Sequence, residues 1–351
     1  MDTGSRGKQR VVLVAPALNG SIQKDLDILA LHYKVTVNVY NWRHKALVPF
    51  YVVHQLLILA LPIAMARAVV IEFGGYWALV PSFLGSLLRK PVFIVLRGTD
   101  SAAMDNPPYG SLRTNPLRTV CRWSYNHATA LVPVSASLER SAQVYAGSPQ
   151  GVKVHFPELQ TPFRVIPNGF DAFFWGMDGM DGRPVRQANT VIAAFDNTQF
   201  ELKGGPLIVA VAKRMPECDF IVAGADASCT NNIPPNLRFT GRCNREQMRE
   251  HFQKASVHLQ LSYFEAFGNA LAEAMLCGCI PIVSDVNNLP EISGGLGYVL
   301  SKPDADELVR LLTLAMANAT DEQRRACKNH ISEHYPLSRR ATELIRLIEK
   351  G

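Results

Sequence analysis

The sequence predicts an α/β protein made of two doubly wound parallel sheets. Short apolar runs bounded by turn residues alternate with helical patterns through both halves of the chain. Its 351 residues are enough for two domains of ordinary size. A Gly- and Asp-rich, helix-poor stretch from Phe170 to Gln187 separates the alternation into two series and reads as a linker.

The first series opens with a strand over Arg10–Ala15. Arg6, Lys8 and Arg10 precede the apolar run Val11–Pro16, which is too short for a secretory leader and suits a buried parallel strand. A helix follows over Ile22–Leu31. Further strands are predicted at Val35–Tyr40, Ala68–Phe73, Val92–Leu96 and Thr129–Val134, with a helix at Leu79–Leu88. The second series has strands at Thr190–Phe195, Phe220–Gly224 and Ser256–Ser262. Helices are expected at Ala305–Met316 and Asp321–His334. Pro336 breaks the pattern before a last helix, Ser338–Glu349. Parallel sheets of this kind bind ligands outside the carboxyl ends of their strands.

Residues 46–71 form the most hydrophobic stretch, interrupted by Pro49, His54, Gln55 and Pro62. The first reading is a buried core helix. A helix lying on a membrane surface comes second and a membrane span last.

Composition narrows the function classes. Hydrophobic residues make up 48% of the chain, enough for a full core. Seven cysteines with no framework spacing indicate a reducing, cytoplasmic setting. Cys277 and Cys279 read as core thiols, because no second Cys or His pair stands near them. Residues 1–150 carry 15 Lys and Arg against 7 Asp and Glu, whereas the rest carries 21 against 23. A basic first half suits an acidic partner such as anionic lipid or a lipid-phosphate acceptor, or is simply a solvated face. The lack of aromatic interleaving or a known motif argues against nucleic acid.

The most informative segment is Glu265-Ala266-Phe267-Gly268-Asn269-Ala270-Leu271-Ala272-Glu273, between the strand Ser256–Ser262 and a helix. Phe267, Ala270, Leu271, Ala274 and Met275 recur at helical spacing, so one face is buried. Glu273 lies off that face, and Glu265 lies in the preceding turn. Eight residues at helical rise span about 12 Å. Between the carboxylates is a helix start around Phe267–Asn269, whose N–H groups and dipole attract phosphate. The layout suits a nucleotide sugar, with one glutamate on sugar hydroxyls and the other on ribose. Lys203, followed by Gly204-Gly205 and an apolar helix, is placed to reach a diphosphate.

This segment, with Ala274–Cys279 leading into Ile280–Asp285, resembles the signature of retaining glycosyltransferases of the GT-B fold, in particular family four, the glycosyl transferases group 1. Other resemblances occur in order: Val132–Ser135, Val165–Asp171, Leu202–Gly205, Phe239–Arg242, and Asn287–Ile292 with asparagines in place of glycines. The resemblance implies two Rossmann-like domains facing a central cleft. The N-terminal, acceptor-side domain would be 1–168 plus a returning helix, 336–351; the nucleotide-sugar domain would be 169–335. It implies metal-independent transfer with retention from a nucleoside diphosphate sugar, UDP favoured, with no cofactor beyond that donor. The acceptor would be lipid-linked or polysaccharide, for cell-surface glycan synthesis at the inner face of the plasma membrane. Glu265, Lys203 and Asp100 would act in catalysis. Glu273, Phe267, Gly268, Asn269, Arg242, Gly20 and Arg97 would bind the donor. The sequence departs from the family pattern in three further places. No arginine stands in Ala194–Leu202, where the family has one about five residues before Lys203, Arg97 replaces a histidine, and the first loop, Asn19-Gly20-Ser21, has one glycine. A non-hydrolysing nucleotide-sugar epimerase and a non-catalytic nucleotide-binding relative are the alternatives.

Overall fold

The computed structural model describes residues 8–18, 20–42, 44–142, 145, 147–177 and 186–351. Two compact units emerge. The first comprises 1–141, 150–168 and 338–351, and the second 142–149 and 169–337. Residues 142–149 thus group with the second unit, whereas the sequence reading places them in the first. Within that unit the Tyr145 hydroxyl donates to Leu300 O at 2.6 Å, and its ring meets Tyr263 edge-on.

The first unit contains β1 (Arg10–Ala15), α1 (Gly20–His32), β2 (Lys34–Val39), α2 (Val48–Ala64), β3 (Ala68–Glu72), α3 (Tyr76–Leu87), β4 (Val92–Leu96), α4 (Leu117–Asn126), β5 (Ala130–Pro133) and a one-turn α5 (Val152–His155). Its parallel sheet has the order β2-β1-β3-β4-β5. Strands β3, β4 and β5 are buried throughout, which accounts for their unbroken apolar sequences.

The second unit contains α6 (Ala172–Gly176), β6 (Gln187–Ala194), α7 (Gly205–Arg214), β7 (Asp219–Ala223), β8 (Leu237–Phe239), α8 (Arg245–Lys254), β9 (Ala255–Gln260), α9 (Asn269–Leu276), β10 (Ile280–Ser284), α10 (Leu289–Ser293), β11 (Tyr298–Leu300), α11 (Ala305–Ala317) and α12 (Asp321–His334). Its parallel sheet runs β11-β10-β9-β6-β7-β8. The last helix, α13 (Leu337–Lys350), joins the first unit from Ser338 onward.

Three elements differ from the sequence reading. The stretch 46–71 does not form a buried core helix. Only Gln55, Leu59 and Ile63 of α2 are buried, and its remaining apolar side chains lie partly or largely in the open. Part of the expected linker is ordered: Asp171 caps α6 by accepting from Phe174 N at 3.0 Å, and Trp175 is buried against Phe252. Its Asp178–Gly182 segment lies outside the described residues. Helix α8 has too few apolar residues for a periodicity, yet Asn244 and Gln247 form a capping box at its start.

A buried ionic cluster ties the first unit together. Asp25 accepts from Arg340 Nε at 2.6 Å and from Arg97 Nη2 at 2.5 Å, while Arg97 Nε donates to Glu72 at 2.6 Å. Arg340 Nη1 also donates to Ile166 O and Pro167 O at 2.9 Å each, which fastens α13 to this unit. Burial pushes the Glu72 carboxyl up to about 7. Burial acts the same way on Asp25, but the Arg340 and Arg97 guanidinium groups outweigh it and hold Asp25 below its ordinary value.

Candidate active site

Parallel topology puts every carboxyl strand end of the second sheet on one edge. The loops after β6, β9 and β10 adjoin there, because these strands are neighbours. Lys203 comes from the loop after β6 and Glu265 from the loop after β9. The two side chains form an ion pair between Lys203 Nζ and Glu265 Oε2, each 12% exposed. Gln260 Nε2 and Ser262 Oγ donate to the same carboxylate oxygen at 2.8 and 3.2 Å. Three donors therefore converge on Oε2, which holds the carboxylate in one orientation and leaves Oε1 as the oxygen for a ligand hydroxyl.

Behind this carboxylate is a polar stripe that the sequence reading missed. The alternation in Ser256–Ser262 was read as strand-like, and a half-buried strand turns its polar residues to water. β9 is instead the buried centre of the sheet, so Ser256, His258, Gln260 and Ser262 are polar and buried. His258 Nε2 lies 3.2 Å from Gln260 Oε1. Because the Gln260 amide nitrogen donates to Glu265, its oxygen accepts from His258, so the histidine proton sits on Nε2. Burial depresses the His258 pKa to about 4, which keeps the ring neutral. The residues form a chain from His258 through Gln260 to Glu265 and Lys203. Three polar residues at a period of two in β9, with Ser262 continuing the spacing past its end, were the available signal.

Asn287 is a second missed residue. It adopts a left-handed backbone with φ of 51°, and its Oδ1 accepts from Glu265 N at 2.9 Å. Asparagine tolerates that conformation where most residues do not. It therefore replaces glycine in the loop after β10 and fastens the loop that carries Glu265.

Residues 265–268 are not helical; α9 begins at Asn269. The even helical rise assumed between Glu265 and Glu273 therefore does not hold. Gly268 is the N-cap at φ of 95°, and no side chain caps it. The N–H groups and dipole of such a helix start attract anions. The Phe267 side chain is buried against Phe170 and Tyr335, so only its backbone can serve a ligand. Glu273 sits half-buried in the second turn of α9. Gly204, at φ of 73°, lies against β9's loop: a Cβ there would come 2.6 Å from Leu261 O. Arg242 is exposed after β8, three strands from β9 or about 14 Å. It does not join the Lys203–Glu265 cluster.

The other predicted residues lie in the first unit, and two are reassigned. Asp100 is fully buried. Its Oδ1 accepts from Arg97 N at 3.1 Å and Gly98 N at 2.8 Å, and its Oδ2 from Gly74 N at 2.9 Å. It shapes the loop after β4, with both carboxylate oxygens taken up by backbone N–H groups. Burial raises its pKa, although those N–H groups oppose the shift. Arg97 belongs to the buried ionic cluster with Asp25 and Glu72, so its guanidinium is committed to the protein and not to a donor phosphate. Gly20 opens α1 at φ of 38° with free space around its α-carbon, while Asn19 lies outside the described residues.

The first unit also has an open cleft of about 710 Å³ at the carboxyl ends of β1 and β2, lined by Leu18, Tyr40, Asn41, Trp42 and Trp77 among others. Trp42 is 8% exposed, and its indole N–H has no partner among the described residues. The run Tyr40-Asn41-Trp42 just past a strand end was its signal in the sequence. Cys277 and Cys279 are buried thiols that donate to Trp175 O and Phe252 O.

Comparisons with known proteins meet this geometry. The profile of the family described as "Glycosyl transferases group 1" matches residues 203–334, which begin at Lys203 and include both glutamates. The chain is 28% identical over 196 residues to a GDP-mannose:cellobiosyl-diphosphopolyprenol alpha-mannosyltransferase of Xanthomonas oryzae pv. oryzae, covering 51% of each. It is 32% identical over 72 residues to O-antigen chain mannosyltransferase B of Escherichia coli, covering 20% of this chain and 19% of that one. The matched stretches thus span about half the first of these curated relatives and less of the other. Sucrose-phosphate synthase of Thermosynechococcus elongatus superposes with a TM-score of 0.72 at 13% identity, covering 98% of this chain and 99% of that one. Anabaena HepE in complex with UDP superposes at 0.70 and 13% identity, covering 98% and 100%. At such identity the shared property is the fold.

Proposed function

With residues 203–334 being a glycosyl transferases group 1 domain in a chain of GT-B fold, we propose that this protein transfers a sugar, with retention, from a nucleoside diphosphate sugar to a lipid-linked or polysaccharide acceptor. The observation that carries this reading is the Lys203–Glu265 ion pair beside the uncapped start of α9.

The pair acts as an exchange. In the absence of ligand, Lys203 and Glu265 neutralise each other. An arriving diphosphate takes the ammonium group and meets the N–H groups at the start of α9. Glu265, still oriented by Gln260 and Ser262, is then released to accept from hydroxyls of the transferred sugar. As the bond from sugar to diphosphate breaks, charge grows on the leaving phosphate, and Lys203 stabilises it. The leaving phosphate takes the acceptor proton, so the site supplies no separate base. Glu273 holds ribose hydroxyls, and the aromatic cleft of the first unit receives the acceptor. No metal and no cofactor besides the donor enters this scheme.

Uridine is the base expected from sequence, and HepE, of the same fold, was solved with UDP. Guanosine is the second reading, favoured by the mannosyltransferase relative whose printed name specifies GDP-mannose. Thermal shifts with UDP, GDP, ADP and TDP separate them. A binder at a hundredfold excess over its Kd stabilises by about 2.7 kcal/mol. No shift with any of the four would overturn the proposal. Formation of a 2-epimer from donor alone would favour an epimerase, and diphosphate binding without turnover on any acceptor a non-catalytic relative.

A further inference from the structure

Helix α2 carries its polarity the wrong way round for a surface helix. Its 17 residues include no charged side chain. The inward face is Gln55, Leu59 and Ile63, with Gln55 donating to Asn38 at 2.7 Å. The outward face is Phe50, Val53, Leu57 and Leu61, between 58% and 73% exposed, at the spacing that aligns side chains along one side of a helix. Helix α3 packs alongside and adds exposed Phe83 and Leu87. A contiguous apolar surface of this kind indicates a partner.

The charge around the surface identifies it. Residues 28–99 contain one carboxylate, Glu72, and it is fully buried. Exposed Arg10, Lys34 and Arg89 lie at the amino edge of the sheet, where α2 and α3 end, with Arg10 reaching Met65 just after α2. The whole unit carries 21 Lys and Arg against 10 Asp and Glu. At about 25 Å, α2 is too short to cross the roughly 30 Å hydrocarbon core, and no helix among the described residues meets the requirement. An apolar stripe with no carboxylate on α2 or α3, bordered by cations and with Glu349 the acidic residue beside Arg67 at the amino edge, matches the headgroup boundary of a bilayer.

We infer that the outer face of α2, with the adjoining edge of α3, docks onto an anionic lipid bilayer. This deepens the proposed function by placing a lipid-linked acceptor's own membrane against the first unit, and it rests on that reading only for its purpose.

The test is co-sedimentation of the full chain with vesicles of phosphatidylcholine containing 30% phosphatidylglycerol, or of phosphatidylcholine alone. The wild type should bind the anionic vesicles at least tenfold more strongly, and 0.5 M salt should weaken that preference. The double substitution Leu57→Glu with Leu61→Glu faces solvent, so it should fold and lose at least tenfold in binding. Phe173→Glu, at an exposed site in the second unit, should bind as the wild type does. Equal binding by the double variant would overturn the inference, as would absence of binding by the wild type. So would a wild-type dimer that the double variant converts to monomer without any vesicle binding, since the face would then be a contact between copies. Nucleotide-induced thermal shifts, run in parallel, report the second unit independently. Loss of one result therefore does not imply loss of the other.

Discussion

Lys203 Nζ and Glu265 Oε2 are paired across two loops that begin on adjacent strands, 62 residues apart in the chain. The pairing makes the lysine's affinity for phosphate depend on the glutamate. It predicts opposite effects for the two substitutions. Lys203→Met should weaken free UDP or GDP by about 1.5–3 kcal/mol, the range for a charge-assisted hydrogen bond. Glu265→Gln should abolish transfer, by about 3 kcal/mol or more in the barrier, while free diphosphate binds as well as before or more tightly, because its competitor for Lys203 is gone. Calorimetric titration measures both. A large loss of diphosphate affinity in Glu265→Gln would contradict the exchange.

Gly204 should not tolerate alanine. Its left-handed φ of 73° and the 2.6 Å approach of a Cβ to Leu261 O act together. Gly204→Ala should destabilise the second unit by about 1–3 kcal/mol and displace Lys203. Chemical denaturation and nucleotide titration of the variant check the two effects. Wild-type values in both would remove the close approach from the account.

His258 gives the second unit a pH dependence whose sign is fixed. Its folded pKa of about 4 lies below the ordinary 6.5, so the unfolded chain binds the proton first. Stability is fully present above about pH 6.5 and is lost as pH falls through 4, by about 3 kcal/mol in total. Comparing urea midpoints of wild type and His258→Gln between pH 7 and 4 isolates this contribution. Parallel curves would show that the histidine does not carry it.

Glu72 should act with the opposite sign in the first unit. Its folded pKa of about 7 lies above the ordinary 4.5, so the stability it contributes is present below pH 4.5 and lost as pH rises through 7. Glu72→Gln should flatten that slope.

Arg97→Met should leave Asp25 and Glu72 without their shared cation and destabilise the first unit by about 3–5 kcal/mol. Nucleotide affinity of the second unit should stay unchanged. Thermal unfolding and titration distinguish this outcome from a donor-binding arginine, which would lose affinity instead.

The sheet strands were legible because buried parallel strands are nearly continuous apolar runs, as in Val92–Leu96. The loop positions of Lys203 and Glu265 and the place of Gly268 at a helix start were legible because a helix start and a glycine-flanked lysine leave local marks. Asp100 and Arg97 were misjudged because a residue past a strand end can serve a ligand or its own loop. That choice depends on Gly74, Asp25 and Glu72, which are distant in sequence. The α2 stretch failed for a related reason. Apolar composition shows that a helix seeks cover but not whether the protein supplies it.

The sequence by itself determined two α/β series, their strands and a glutamate beside a helix start, because periodicity and capping are local properties of the chain. Tertiary structure alone decided that Lys203 meets Glu265, that His258 and Gln260 stand behind it, and that α2 turns an apolar face outward. Each of these depends on which strands became neighbours and which faces remained uncovered, and no local pattern encodes either.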